Sequence, residues 1–170
     1  MLDNSDRMRS LLQKYLSALV LMSAVSSVAS GQPWYVATTG SDSNAGTLSS
    51  PFKSIEKAVS VVKGGETIYL RGGTYNLTAT ITLSKSGAEN TVISVIAYPG
   101  EVPVLNFSAQ TQSSGNRGLV LTGSWWHIKG ISITGAGDNG MIISGGNNNL
   151  IDQCSFYRNR DTGLQIDNGA

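Results

Sequence analysis

The sequence predicts an all-β solenoid, a parallel β-helix closed at its N-terminal end by one amphipathic α-helix. Two observations carry most of this. The segment from Ile128 to Gly146 repeats 23 residues later, with Asp138 on Asp161, Gly140 on Gly163, Met141 on Leu164 and Ile143 on Ile166. Fixed self-similarity of that length marks stacked repeats, each too small to bury its own apolar face. Beyond residue 66 the chain reads as runs of three to six apolar or β-branched residues between Gly, Asn and Asp clusters, with no second helical pattern. An antiparallel sandwich shares the short strands but not the register, and a propeller blade needs about 40 residues or more.

Taken in order, residues 1–30 are set aside. Arg7, Arg9 and Lys14 precede the apolar run from Tyr15 to Ala29, which ends in small residues. That pattern predicts a secretory signal peptide cut between Ala29 and Gln32, and the run falls short of the ~20 apolar residues of a membrane span. The expectation is an exported, extracellular protein with no membrane attachment after cleavage.

The exported part opens on a strand, Trp34 to Val36, then a turn-rich loop from Gly40 to Gly46. Phe52, Ile55, Ala58, Val59 and Val62 recur at helical spacing, with Ser54 as a cap and Gly64-Gly65 as a stop. This is the capping helix, read as Phe52–Val62. Strands follow at Thr67–Leu70, Thr80–Leu83, Val92–Ala97, Val102–Phe107, Leu119–Leu121, Ile128–Ile133, Met141–Ile143, Leu150–Phe156 and Leu164–Ile166.

Composition narrows the chemistry. Twelve basic and eleven acidic side chains leave no basic stripe, which excludes a nucleic-acid footprint. A single cysteine permits no internal disulfide, and Cys154, at the repeat position of Ile131, is expected as a buried, inert thiol. With one histidine, no CxxC and no P-loop, hydrolase triads, zinc sites and nucleotide sites lack support.

Stacked coils place equivalent residues about 4.8 Å apart, so Asp138 and Asp161 are expected one above the other. Two carboxylates so close call for a positive partner, and an oxygen-rich pair suits a hard cation such as calcium. Asn139 and Thr162 add oxygens. Ordinary Asp-Gly turn chemistry competes with this, and Arg160 could supply the charge instead. A structural role is favoured for Asp138; for Asp161 the two readings are even. The "GGNNNL" stretch, Gly145 to Leu150, is expected to satisfy backbone at a bend through asparagine side chains. In Trp125-Trp126-His127, one indole is expected in the core and one at the surface.

At these residues a family resemblance enters. "YVATTGSDSNAGTLSSPFKSIEKAVSVVKGGETIYLRGGTYN" resembles the opening segment of secreted right-handed β-helix proteins. "WWHIKGISITGAGDNGMIISGGNNNLIDQCSFYRNRDTGLQI" resembles more narrowly the family-nine pectate lyases, and the likeness runs from Trp34 to Gly169. It implies a right-handed fold and calcium-dependent β-elimination on polygalacturonate, with aspartates holding the metal and a lysine as base. Carried over by position, Asp161 is the candidate ligand and Asp138 the weaker one. No basic residue here matches the family's base, so the base is expected downstream of Ala170, in a chain truncated at its C-terminal end. The expected partner is pectate, an acidic plant-type polysaccharide, and the expected state a monomer. The alternative is a non-catalytic, exported carbohydrate-binding or cell-surface module.

Overall fold

The computed structural model describes residues 31–167 and residue 169; the expected signal peptide, residues 1–30, lies outside the described residues. Among the described residues, thirteen strands and one helix follow the order β1 (Trp34–Val36), α1 (Ile55–Val61), β2 (Thr67–Leu70), β3 (Gly73–Asn76), β4 (Ile81–Leu83), β5 (Ile93–Ala97), β6 (Pro103–Asn106), β7 (Leu119–Leu121), β8 (Trp126–Lys129), β9 (Ser132–Thr134), β10 (Met141–Ser144), β11 (Leu150–Asp152), β12 (Ser155–Tyr157) and β13 (Leu164–Asp167). From β2 onward each coil contributes one strand to each of three sheets, β1-β2-β5-β8-β11, β3-β6-β9-β12 and β4-β7-β10-β13, and β1 adds a fifth strand to the first. Every pairing is parallel. This is the predicted β-helix.

The 23-residue register holds between the last two coils, where His127 pairs with Leu150, Ser132 with Ser155 and Met141 with Leu164. Earlier coils differ mainly in the length of their turns. The link from β6 to β7 spans residues 107–118, whereas that from β9 to β10 spans residues 135–140.

Inward residues stack in columns that fill the lumen. Ile68, Val95, Ile128 and Ile151 form one, Tyr75, Leu105, Ile133 and Phe156 a second, and Ile81, Leu119, Met141 and Leu164 a third. Most of these side chains are fully buried. Each buried aliphatic contributes roughly 1.5–3 kcal/mol, and the column shares that gain between coils, which is why one coil alone could not stand. Tyr75 is the exception with a polar tip. Its hydroxyl donates to the carbonyls of Val36 and Arg71 at 3.0 and 2.8 Å, and burial pushes its pKa up to about 12.

Helix α1 plugs the lumen with Ile55, Ala58 and Val59. It begins at Ile55 rather than Phe52, because Ser54 is its N-cap: its Oγ accepts from the Lys57 N–H. Asp42 fixes that cap from outside, taking the Ser54 hydroxyl and the Lys53 and Ser54 N–H groups. Phe52 is instead bridged to Val36 and stacked on Trp34, with ring centroids 5.7 Å apart. The helix ends at Val61, and at its C-cap, Val62, ψ turns to 144° before the glycines are reached.

Two predicted strands are each divided. Ile128–Ile133 bends at Gly130 (φ 73°) and Leu150–Phe156 at Gln153 (φ 53°), so each supplies strands to two different sheets. Strand β3 was not predicted; its only inward apolar side chain is Tyr75.

Candidate functional site

Asp138 lies in the turn between β9 and β10, Asp161 in the turn between β12 and β13. The predicted stacking is present: the Asp161 N–H donates to the Asp138 carbonyl at 3.2 Å. The next residues repeat the contact by side chain, since buried Asn139 accepts the Thr162 N–H through Oδ1 and donates to Gln165. Asn159 does the same for the β9 side, accepting from Ala136 N–H and donating to the Ile133 carbonyl. Amide side chains therefore replace the backbone bonds that the sheets cannot make at these bends.

The two carboxylates differ in what surrounds them. Asp138, with 15% of its side chain exposed, accepts the Gly115 N–H at 2.8 Å and faces the Arg117 Nε at 3.6 Å. Both partners belong to the long link between β6 and β7, so Asp138 ties that link to the following coil. The cation is Arg117, not the neighbouring Arg160. The Asp161 carboxylate is exposed and, among the described residues, has no hydrogen bond or ion pair.

Calcium takes six to eight oxygens, commonly several of them carboxylate. Among the described residues no three His, Cys, Asp or Glu side chains converge on one point. Asp138 is already engaged with an arginine and a backbone donor. The donor set of these coils, Asp161 and neighbouring turn carbonyls, does not by itself fit the ion.

The other sequence candidates resolve as follows. Asn149, in "GGNNNL", accepts the Trp126 N–H at 2.9 Å and donates to the Gly123 carbonyl at 3.0 Å, serving the backbone of the coil beneath. Trp126 is fully buried and its Nε1–H donates to the Lys85 carbonyl at 2.6 Å, while Trp125 is half-buried with φ 62°. His127 faces outward beside Asp152, Nε2 to Oδ2 3.6 Å, and Lys129 donates to the same carboxylate at 2.7 Å. The hydrogen bond from Lys129 holds the Asp152 carboxyl below its usual range. Cys154 is half-buried rather than buried, and desolvation pushes its thiol pKa up, away from nucleophilic use.

Sequence reasoning did not single out Arg117, whose part depends on a long-range contact, or two features of the sheet surfaces. On the face of β1 and β2, Tyr35 and Tyr69 stack at 5.6 Å, and Tyr98 meets Tyr69 edge-on at 6.0 Å. Arg71 lies 4.6 Å over the Tyr98 ring and pairs through Nη2 with Glu101 at 2.6 Å. On the outer face of β3, β6, β9 and β12 runs an open polar groove. No helix among the described residues is long and apolar enough to cross a membrane.

Comparison with known proteins places this geometry. Pectate lyase L of Paenibacillus polymyxa is 45% identical over 158 residues, covering 92% of this chain and 34% of its own length. Pectate lyase L of Dickeya chrysanthemi is 35% identical over 153 residues, covering 85% of this chain and 36% of its own length. The crystal structure of pectate lyase Pel9A superposes with a TM-score of 0.71 at 33% identity, over 82% of this chain and 36% of that one. The chain thus spans about a third of the length of the relatives it matches. The family model of the Pel9A-like right-handed β-helix region matches residues 34–170. With its three parallel sheets, its in-register coils and this match, the chain belongs to the Pel9A-like right-handed β-helix family.

Proposed function

We propose that this chain forms the N-terminal coils of an exported, pectate-lyase-type polysaccharide lyase that cleaves polygalacturonate by calcium-dependent β-elimination. The observation that carries the reading is kinship along the chain: 45% identity to a pectate lyase over 158 residues, and a family match over residues 34–170. In β-elimination a base takes the C5 proton of a uronate and the C4–O bond breaks, so no water nucleophile is required. The coils described here hold structural roles for Lys129 and Asp138, and the base is proposed to lie in coils beyond Ala170.

Calcium belongs in this proposal to the whole enzyme. Asp161 is the carboxylate these coils would offer, with the other donors outside them.

The test uses the full-length protein on polygalacturonate. Unsaturated oligogalacturonides are expected with calcium, none with a chelator, and recovery when calcium is returned. Activity that survives chelation sinks the calcium claim. Binding without any unsaturated product replaces the lyase reading by the non-catalytic carbohydrate-binding one.

A further inference from the structure

The outward residues of β3, β6, β9 and β12 form two straight columns. Thr74, Val104, Ser132 and Ser155 make one; Asn76, Asn106, Thr134 and Tyr157 make the other. Thr74, Val104, Asn106, Thr134 and Tyr157 of these columns line an open groove of about 430 Å³, with Ser108, Gly135 and Arg158 beside them. Its lining holds hydroxyls, an amide, one aromatic ring and one guanidinium, and no carboxylate. The Tyr157 ring is 42% exposed, at the last coil of the groove.

Arg158, beside it, is one of four non-glycine residues among the described ones whose backbone runs against local preference. Its backbone is left-handed, with φ 56°, and the same position one coil earlier is Gly135, with φ 74°. Glycine adopts that conformation without cost, whereas an L side chain there is strained. The guanidinium is exposed, and among the described residues it makes no hydrogen bond or ion pair that would repay the strain. Beneath it Gly135 approaches the Ser108 backbone so closely that a side chain there would collide, which keeps the groove open under the arginine.

We propose that this groove binds an extended acidic oligosaccharide, and that Arg158 and Tyr157 are its anchoring residues. The inference rests on the acidic-polysaccharide reading above and adds where such a chain would lie. An exposed ring can take the C–H face of a pyranose. A guanidinium matches a uronate carboxylate with two parallel hydrogen bonds, better than an ammonium would. Thr74 and Asn106 supply hydrogen bonds to ring hydroxyls along the floor. The columns advance about 4.8 Å per coil along the solenoid axis, so the groove suits a linear polymer rather than a single sugar. A lone arginine and a net charge of +1 do not make a nucleic-acid footprint.

The experiment measures retention of the full-length protein by polygalacturonate in affinity electrophoresis, with a chelator present to suppress cleavage. Arg158→Gly is the informative variant, since it removes the guanidinium while relieving the strained backbone. It is expected to keep or raise the melting temperature and to weaken binding about fivefold or more, the scale of one well-formed charge contact. Tyr157→Ala is expected to weaken binding as well. Wild-type affinity in both variants overturns the groove. So does a wild-type protein retained no better by polygalacturonate than by a neutral galactan. Retention that depends on Arg158 without cleavage when calcium is supplied keeps the groove and removes the lyase reading. Cleavage with unchanged retention in both variants does the reverse.

Discussion

The backbone of Asp161 hangs from that of Asp138 through a 3.2 Å hydrogen bond, yet only the lower carboxylate is engaged, by Gly115 and Arg117. Repetition in sequence fixes the backbone relation and leaves the side chains free to diverge.

That divergence separates two substitutions. Asp138→Ala strands the Gly115 N–H and a half-buried guanidinium, and is expected to cost about 1–2 kcal/mol in urea unfolding. Asp161→Ala is expected to stay within about 0.5 kcal/mol of the wild type, as exposed surface changes do. Calcium titration of the full-length protein then reads Asp161 alone. An unchanged calcium affinity removes Asp161 from the ligand set.

Gly123 is expected to tolerate no side chain. A Cβ there would sit 1.7 Å from the Lys85 carbonyl oxygen, the same oxygen that accepts the buried Trp126 indole N–H. Gly123→Ala must therefore displace backbone, and a loss of about 2 kcal/mol or more is expected in thermal melts, the scale of overpacking.

Tyr75 gives the fold an alkaline limit. Its folded pKa, about 12, lies above the unfolded value near 10. The stability it lends is therefore complete below pH ~10 and is lost as pH rises towards about 12, because the unfolded chain ionises first. Tyr75→Phe removes that pH dependence and, by leaving the Val36 and Arg71 carbonyls without their donor, lowers stability at neutral pH by about 1 kcal/mol. Equilibrium unfolding at pH 8 and at pH 11 checks both halves.

Asp152 sets a smaller acid limit. The hydrogen bond from Lys129 keeps its folded pKa below the unfolded value, so its contribution is present above pH ~4 and lost as pH falls through the folded pKa. Lys129→Met is expected to flatten the acid limb of the stability curve between pH 5 and pH 2, read by denaturant titration.

The solenoid was legible because its information is periodic: one strong 23-residue echo specified the register that Met141–Leu164 and Ser132–Ser155 obey. The bends were not. Apolar residues continue through Gly130 and Gln153, so hydrophobicity alone runs two strands into one, although Gly130 itself marked the corner. Strand β3 was hidden because a single tyrosine carries its inward pattern. At the site, the stacking of the aspartates followed from the repeat, but the choice of Arg117 over Arg160 as partner depends on how a non-repeating link folds back.

The link between β6 and β7 is about twice as long as its successor, yet the strands it joins keep their places in the stack. Length added at such a corner need not be absorbed by the framework. Protein engineers could graft peptides into the stretch ahead of Arg117, around Thr111 to Ser114, and expect the scaffold to accept them.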